Sequence, residues 1–220
     1  MTREIYTETV SIPADSITLE GSLTLPRDTG AIVVFAHGSG SSRKSPRNKF
    51  VADQINRAGI GTLLFDLLTR AEDAFYENRF DIELLAQRLE TATLWLGEQA
   101  RTRDLHIGYF GASTGAAAAI KAAADLDTRI EAIVSRGGRP DLATEALERI
   151  KAPILLIVGG YDDVVIQLNQ LAYSLIKSEK QLSIIPGATH LFEEPGALEE
   201  AARLATEWFE RHLLYQEVKR

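Results

Sequence analysis

Apolar and polar positions alternate from Ile17 to Leu25. Ile17, Leu19, Gly21, Leu23 and Leu25 are interleaved with Thr18, Glu20, Ser22 and Thr24. A period of two marks a strand with one buried face. The preceding "IYTETVSI" (5–12) is expected to pair with it across a turn at Pro13-Ala14-Asp15, as an antiparallel hairpin. Beyond residue 30 the pattern changes. "AIVVFA" (31–36), "GTLLF" (61–65), "LHIGYF" (105–110), "EAIV" (131–134) and "PILLIVG" (153–159) are short, nearly continuous apolar runs, as expected of parallel strands covered on both faces. Helical spacing lies between them. Ser45-Pro46 offers an N-cap and a proline at the first helical position, followed by Val51, Ile55 and Ala58 on one face. Ile82, Leu85, Leu89, Ala92 and Leu96 make a longer stripe, and Leu198, Ala202, Ala205, Phe209 and Leu213 another.

Strands alternating with helices predict an α/β fold. Its central sheet is mostly parallel, with an antiparallel hairpin at the N-terminal edge and helices on both faces. The 220 residues suit one domain over 1–220, with no repeat, low-complexity tract or linker in view. In such sheets ligands bind at the carboxyl ends of the strands. The loops that matter therefore begin near His37, Asp66, Gly111, Ser135 and Gly159.

Composition narrows the options. Hydrophobic content of 45% and charged content of 25% are ordinary for a soluble globular protein. A formal net charge of -7 argues against nucleic acid or an anionic membrane as partner. The absence of cysteine removes disulfides, thiolate metal sites and a cysteine nucleophile. "MTREIYTETVSIPADS" has no apolar core of signal-peptide length, and no apolar run approaches the ~18–20 residues that span a bilayer. A cytoplasmic location is the expectation.

The first candidate chemistry is Gly111-Ala112-Ser113-Thr114-Gly115, which fits G-x-S-x-G between a strand and an alanine-rich helix. That is the setting of a nucleophile elbow, although a plain tight turn has the same pattern. A serine hydroxyl needs a base, and a base needs an orienting acid. Of the four histidines, His190 in "IPGATHLFEEPG" follows the run "LSII", after the last strand. Asp162 and Asp163 follow the run that ends at Gly159. Asp162 is preferred, with Asp163 as an N-cap of the next helix; Asp162 as a mere cap is the alternative. The order Ser113, Asp162, His190 is that of the α/β-hydrolase triad. Oxyanion donors are expected from the backbone N–H of Thr114 and of Ser39 in "FAHGSGSS", with Gly40 as the alternative to Ser39.

Other chemistries fit less well. Gly38-Ser39-Gly40 follows a strand, but Arg43 stands where a dinucleotide fingerprint needs its third glycine or alanine. "GSGSSRKS" lacks the Gly-Lys-Ser/Thr of a P-loop. His190 and Glu193-Glu194 lack metal-site spacing, and helix-start solvation accounts for the glutamates. No cofactor and no metal are expected.

The stretches "FAHGSGSSRKSPRN", "GYFGASTGAAAA", "VSRGGRPDLA", "LLIVGGYDDVV" and "HLFEEPGALEEAA" resemble the dienelactone-hydrolase-like group of the α/β-hydrolase superfamily. The resemblance covers essentially the whole chain. It is to a bacterial subfamily found alone or fused to phosphoribosyltransferase-like domains, and no such second domain is read in this sequence. The resemblance implies an α/β-hydrolase fold. Dienelactone hydrolases use a cysteine nucleophile, whereas this chain has Ser113, so the likeness implies the fold rather than the dienelactone substrate.

Two basic loops remain, "SRKSPRNK" (42–49) and "SRGGRPD" (135–141). Arg43 or Arg47, with Arg136 or Arg139, are candidates to bind a substrate carboxylate or phosphate. Solvated charges or structural partners of Asp and Glu are the alternative. In "LLTRAEDAFYENRFD", Phe75 or Tyr76 could touch substrate, or the segment only connects two elements. Nothing is long enough for a large lid domain. The expected function is a serine hydrolase of a small ester or lactone, with an anionic substituent in view. The alternatives are an acyltransferase with the same triad or a non-catalytic binding module. The sequence sets no oligomeric state.

Overall fold

A computed structural model describes residues 4–214. Ile5–Ala14 (β1) and Ile17–Pro26 (β2) form the expected hairpin, with Ala14 opposite Ile17. Pro13 and Ala14 stay in the strand, so the turn is tighter than the sequence suggested. It falls on Asp15 and Ser16, with Asp15 at a φ of 51°, a conformation that aspartate tolerates better than most residues. Pro13 is admitted to a strand because β1 is an edge of the sheet.

The alternation follows, with the short α2 and α5 not foreseen in the sequence: Ala31–Ala36 (β3), Pro46–Arg57 (α1), Gly61–Phe65 (β4), Arg70–Asp73 (α2), Ile82–Glu98 (α3), His106–Ala112 (β5), Thr114–Leu126 (α4), Ile130–Arg136 (β6), Thr144–Leu147 (α5), Ile154–Gly159 (β7), Asp163–Leu175 (α6), Lys180–Ile185 (β8) and Ala197–Phe209 (α7). Helix α1 starts as expected, with Ser45 Oγ accepting from Asn48 N–H at 3.3 Å and Pro46 at its first position. The sheet order is β1-β2-β4-β3-β5-β6-β7-β8. β2 meets β4 antiparallel, and every pairing from β4 to β8 is parallel. This is the α/β-hydrolase fold. Among the described residues no helix is long and apolar enough to cross a membrane.

The continuous apolar runs arise because each central strand feeds two cores. In β3, Ile32, Val34 and Ala36 pack beneath α3 and α4, while Ala31, Val33 and Phe35 pack beneath α1 and α7. The stripes read from the sequence supply the covers: Leu85, Leu89, Ala92 and Leu96 of α3 on one face, Ala202, Ala205 and Phe209 of α7 on the other. Burial of each Leu, Ile or Phe contributes roughly 1.5–3 kcal/mol.

Two strands run further than their apolar runs. β5 continues to Ala112 and β6 to Arg136, and these two residues are register partners. Ala36 lies opposite Gly111, and Arg136 opposite Ile157. The parallel strands therefore release His37, Ser113, Gly137 and the 160–163 turn at one edge, side by side.

Candidate active site

Ser113 stands between β5 and α4 with φ 52° and ψ −121°. A non-glycine residue there is strained by about 1–3 kcal/mol, which neighbouring contacts must offset. They do so through the backbone. Ser113 N–H donates to Arg136 O at 3.2 Å, and Ala116 and Arg139 N–H both donate to Ser113 O, at 3.1 and 3.2 Å. The flanking glycines follow from space. A Cβ on Gly111 would strike the backbone of Ala116, and one on Gly115 would strike the carbonyl oxygens of Ala36 and His37. The turn can close this tightly only with hydrogen at both positions. The Ser113 hydroxyl itself makes no hydrogen bond among the described residues.

Asp162 takes the N-cap position of α6, yet its carboxylate makes no capping bond. It instead accepts from His190 Nδ1 at 2.7 Å. That bond leaves Nε2 of His190 as the nitrogen free to take a proton. Asp163 is the first residue of α6 and not its cap, which corrects the sequence expectation. The glutamates after His190 also differ from expectation. Helix α7 begins only at Ala197, so they do not serve its start. Glu194 accepts from Thr189 N–H at 3.0 Å and from Thr189 Oγ1 at 2.6 Å, contacts that hold its carboxyl below the usual range. They fix the backbone immediately before His190.

The loop after β3 lies against the serine. A Cβ on Gly38 would come within 3.1 Å of Ser113 Cβ. His37 holds this loop, a role the sequence reading did not assign. Its Nε2 accepts from Leu67 N–H at 3.0 Å, so the ring proton sits on Nδ1, which donates to Gly38 O at 3.0 Å. Burial pushes its pKa down, so the ring is kept neutral. Ser39 N–H, the expected oxyanion donor, is engaged by Thr114 Oγ1 at 2.9 Å.

Ser113 and His190 line one cavity of about 210 Å³, together with Ser39, Arg47, Asn48 and Arg136. The four candidate arginines separate here. Arg43 is not at the cavity: it pairs with Asp66 at 2.7 Å and Glu20 at 2.6 Å, tying the loop after β3 to β2. Arg139 is held by Asp141 at 2.7 Å and is likewise absent from the lining. Arg47 lines the cavity and meets the exposed Glu193 at 3.1 Å. Arg136 lines it too, with only 6% of the residue exposed. No carboxylate pairs with Arg136 among the described residues. Its Nη2 donates to Asn48 Oδ1 at 3.3 Å, its Nε has no partner, and its guanidinium stands 5.5 Å from the Phe192 ring centre. Burial, with Arg47 nearby, pulls its pKa down to about 10. Asn48 was also unassigned, although a polar residue in line with Val51, Ala52 and Ile55 was a visible signal. Phe75 and Tyr76 do not line the cavity and are exposed. Among the described residues no group of three or more His, Asp or Glu is arranged to hold a metal ion.

The model of the dienelactone hydrolase family matches residues 19–214. The chain belongs to the dienelactone hydrolase family. A crystal structure of a dienelactone hydrolase from Anabaena variabilis superposes with a TM-score of 0.92 and 52% identity, covering 95% of this chain and 99% of that one. Est1E from Butyrivibrio proteoclasticus superposes with a TM-score of 0.80 at 16% identity, covering 92% and 98%, and shares the fold. A Mycobacterium tuberculosis protein named "Putative phosphoribosyl transferase" is 56% identical over 206 residues, which are 94% of this chain and 46% of that protein. The chain thus spans about half the length of the curated relatives it matches. Membership of the dienelactone hydrolase family supports an enzyme of hydrolase type.

Proposed function

We propose that this chain is a serine hydrolase of small carboxylic esters or lactones, with Ser113 as nucleophile, His190 as general base and acid, and Asp162 as the group that orients His190. One observation carries this reading. A carboxylate placed to cap a helix makes no capping bond and instead binds His190 at 2.7 Å, and His190 lines one cavity with a strained serine. A structural aspartate would take the cap, which is worth about 1 kcal/mol.

His190 Nε2 takes the proton from Ser113 Oγ as the oxygen attacks the substrate carbonyl. The Nδ1–H to Asp162 bond stabilises the imidazolium that results. The carbonyl oxygen becomes an oxyanion. Its donors in this reading are Thr114 N–H, immediately after the nucleophile, and Ser39 N–H, which exchanges Thr114 Oγ1 for the oxyanion when substrate arrives. The tetrahedral species collapses, the C–O bond to the leaving group breaks, and His190 protonates that oxygen. The acyl group is now an ester of Ser113. Water then gives a proton to His190 and attacks the same carbonyl, and the second collapse returns the proton to Ser113 and frees the acid. The absence of a Ser113 hydrogen bond does not oppose this sequence, because such contacts commonly tighten only in the substrate complex. A volume of about 210 Å³ favours small substrates, since sites enclosing larger ligands run to roughly 300–1,000 Å³.

The name of the M. tuberculosis relative describes a protein about twice as long as the matched region. For this region we assign acyl-ester hydrolysis and carry over no phosphoribosyl transfer. The test is labelling with a fluorophosphonate probe, located by peptide mass spectrometry. Ser113 is expected to be labelled, and His190→Ala to abolish the label. Unlabelled, well-folded wild-type protein would overturn the assignment.

A further inference from the structure

Thr114 carries a buried hydroxyl with half of its hydrogen bonding unmet. The residue is 3% exposed. Its Oγ1 accepts from Ser39 N–H at 2.9 Å and, among the described residues, donates to nothing. A hydroxyl has a proton to give as well as lone pairs to offer, and a buried donor without an acceptor is costly. The other buried threonines among the described residues all place their proton. Thr62 Oγ1 donates to Asn56 Oδ1 at 3.3 Å, Thr93 Oγ1 to Leu89 O at 2.9 Å and Thr102 Oγ1 to Leu96 O at 2.7 Å. Thr93 uses the carbonyl one helical turn back, as threonines in helices do. Thr114 is the first residue of α4, so no turn of its own helix precedes it. The space behind it offers little else. It is a cavity of about 10 Å³, near the lower limit for one water, and its charged residues Asp73 and Arg79 already pair at 2.9 Å. Ser39 lines both that space and the cavity of Ser113 and His190, and so stands between them.

We propose that the Thr114 hydroxyl is a third donor to the oxyanion, a side-chain group working beside the two backbone N–H groups. The proposal deepens the serine-hydrolase reading and rests on it. In that reading the oxyanion takes hydrogen bonds from Thr114 N–H and Ser39 N–H. Oγ1 belongs to the first of these residues and stands 2.9 Å from the donor nitrogen of the second. An oxygen seated on both N–H groups is therefore within reach of Oγ1 as well. As the substrate carbonyl oxygen gains charge, Ser39 N–H turns from Oγ1 to that oxygen. Oγ1 then loses the bond it accepts, and its proton gains the acceptor it lacks. Oγ1 keeps this proton throughout, so no bond to hydrogen breaks. Before charge develops, Oγ1 serves Ser39 as an acceptor. Its donation belongs to the transition state, where it lowers the barrier rather than tightening substrate binding.

The test compares variants of the whole chain on 4-nitrophenyl acetate. Thr114→Val keeps the shape and removes the hydroxyl. It is expected to lower kcat by about tenfold or more with KM within about threefold, the pattern of a contact made only in the transition state. Thr114→Ala lacks the hydroxyl without adding bulk and is expected to match it, which keeps the test open should valine disturb folding. Thr114→Ser retains the hydroxyl and is expected to recover kcat to within about fivefold of wild type. A boronic acid, 2-phenylethylboronic acid, gives a readout that a structural role would not move. Its adduct with Ser113 seats a tetrahedral oxygen at the oxyanion position, so Thr114→Val should weaken inhibition by about the factor lost in kcat. A Thr114→Val protein as fast as wild type, or faster, overturns the proposal and leaves the hydroxyl as a resting partner of Ser39 N–H. A loss shared by Thr114→Ser, or a loss in kcat with boronate inhibition unchanged, overturns it too and makes Thr114 an anchor of the 38–41 loop. Failure of the parent reading looks different: wild-type Ser113 then takes neither fluorophosphonate nor boronate. If the third donor alone fails, wild-type Ser113 is labelled and Thr114→Val keeps its rate.

Discussion

Asp162→Asn is the substitution that separates a triad from a helix cap. His190 Nδ1 donates to Asp162 Oδ2 at 2.7 Å, and the Asp162 side chain is 17% exposed. Asparagine keeps the shape but removes the charge, and its NH₂ group can face Nδ1. The ring proton then moves to Nε2, the nitrogen that must be open to receive the Ser113 proton. The lost electrostatic support can be sized. Unit charges about 4 Å apart at an effective dielectric near 20 interact by about 4 kcal/mol. That corresponds to about a thousandfold in rate. The His190 side chain is 39% exposed, so solvent screens part of it, and a fall in kcat of roughly 10²–10³ is the expected range. Stability should barely move. The carboxylate caps nothing in the native state, and asparagine is as good as aspartate at an N-cap, so the change should stay within about 1 kcal/mol. Asp163→Asn is the control, expected to act within about twofold of wild type because it is exposed on the first turn of α6. The assay is kcat and KM on a chromogenic ester, with the fluorophosphonate labelling rate and the Tm measured on the same samples. The triad assignment is refuted if Asp162→Asn stays within tenfold of wild type at unchanged Tm, or if Asp163→Asn loses as much.

Two further outcomes test the scaffold. Gly115→Ala drives a methyl group into the carbonyl oxygens of Ala36 and His37, which β3 pairing and the His37 clamp hold in place; a loss of about 3 kcal/mol or more in urea unfolding is expected, and a neutral result would mean the elbow is looser than described. His37 gives a pH signature. Its folded pKa is depressed by burial, so its contribution is complete above the unfolded value near 6.5 and is lost as pH falls below it, at up to about 1.4 kcal/mol per pH unit until the folded pKa is reached. The difference in stability between pH 7.5 and pH 5 should therefore be smaller in His37→Asn than in wild type, and equal pH dependence in the two proteins would show that the ring is not held neutral.

Much of this architecture was legible because each signal was local. Val33 and Val34 point to opposite cores, so β3 had to be apolar throughout, and its burial on both faces was visible as an unbroken run. The elbow was legible for a similar reason: the space at Gly111 and Gly115 is set by neighbours within a few residues and by one adjacent strand. The partners of the arginines were not local. Arg43 finds Glu20 on β2 and Asp66 after β4, each 23 residues away, and nothing in "SRKSPRNK" distinguishes it from Arg47. His37 looked like one more loop histidine because its acceptor role depends on Leu67, 30 residues on.

Arg136 is named from its loop as a candidate, but its burial, which was legible too, is not part of that reading. The run "EAIV" stops at Val134, and the sequence predicts a loop from Ser135 onward. The strand instead continues through Ser135 to Arg136 in register with Ala112. On a period of two, Arg136 then falls on the face of Ala132 and Val134, the core covered by α1 and α7. An arginine forced onto an apolar face by its own strand cannot be a solvated loop charge. It needs buried partners to offset its desolvation, and Asn48 Oδ1 is one of them. Among the described residues no aspartate or glutamate pairs with it. The same extension of β5 and β6 that sharpens the serine elbow therefore also brings a guanidinium to the wall beside it. The strained turn at Ser113 and the burial of Arg136 both follow from one pair of strands running two residues past the end of their apolar runs.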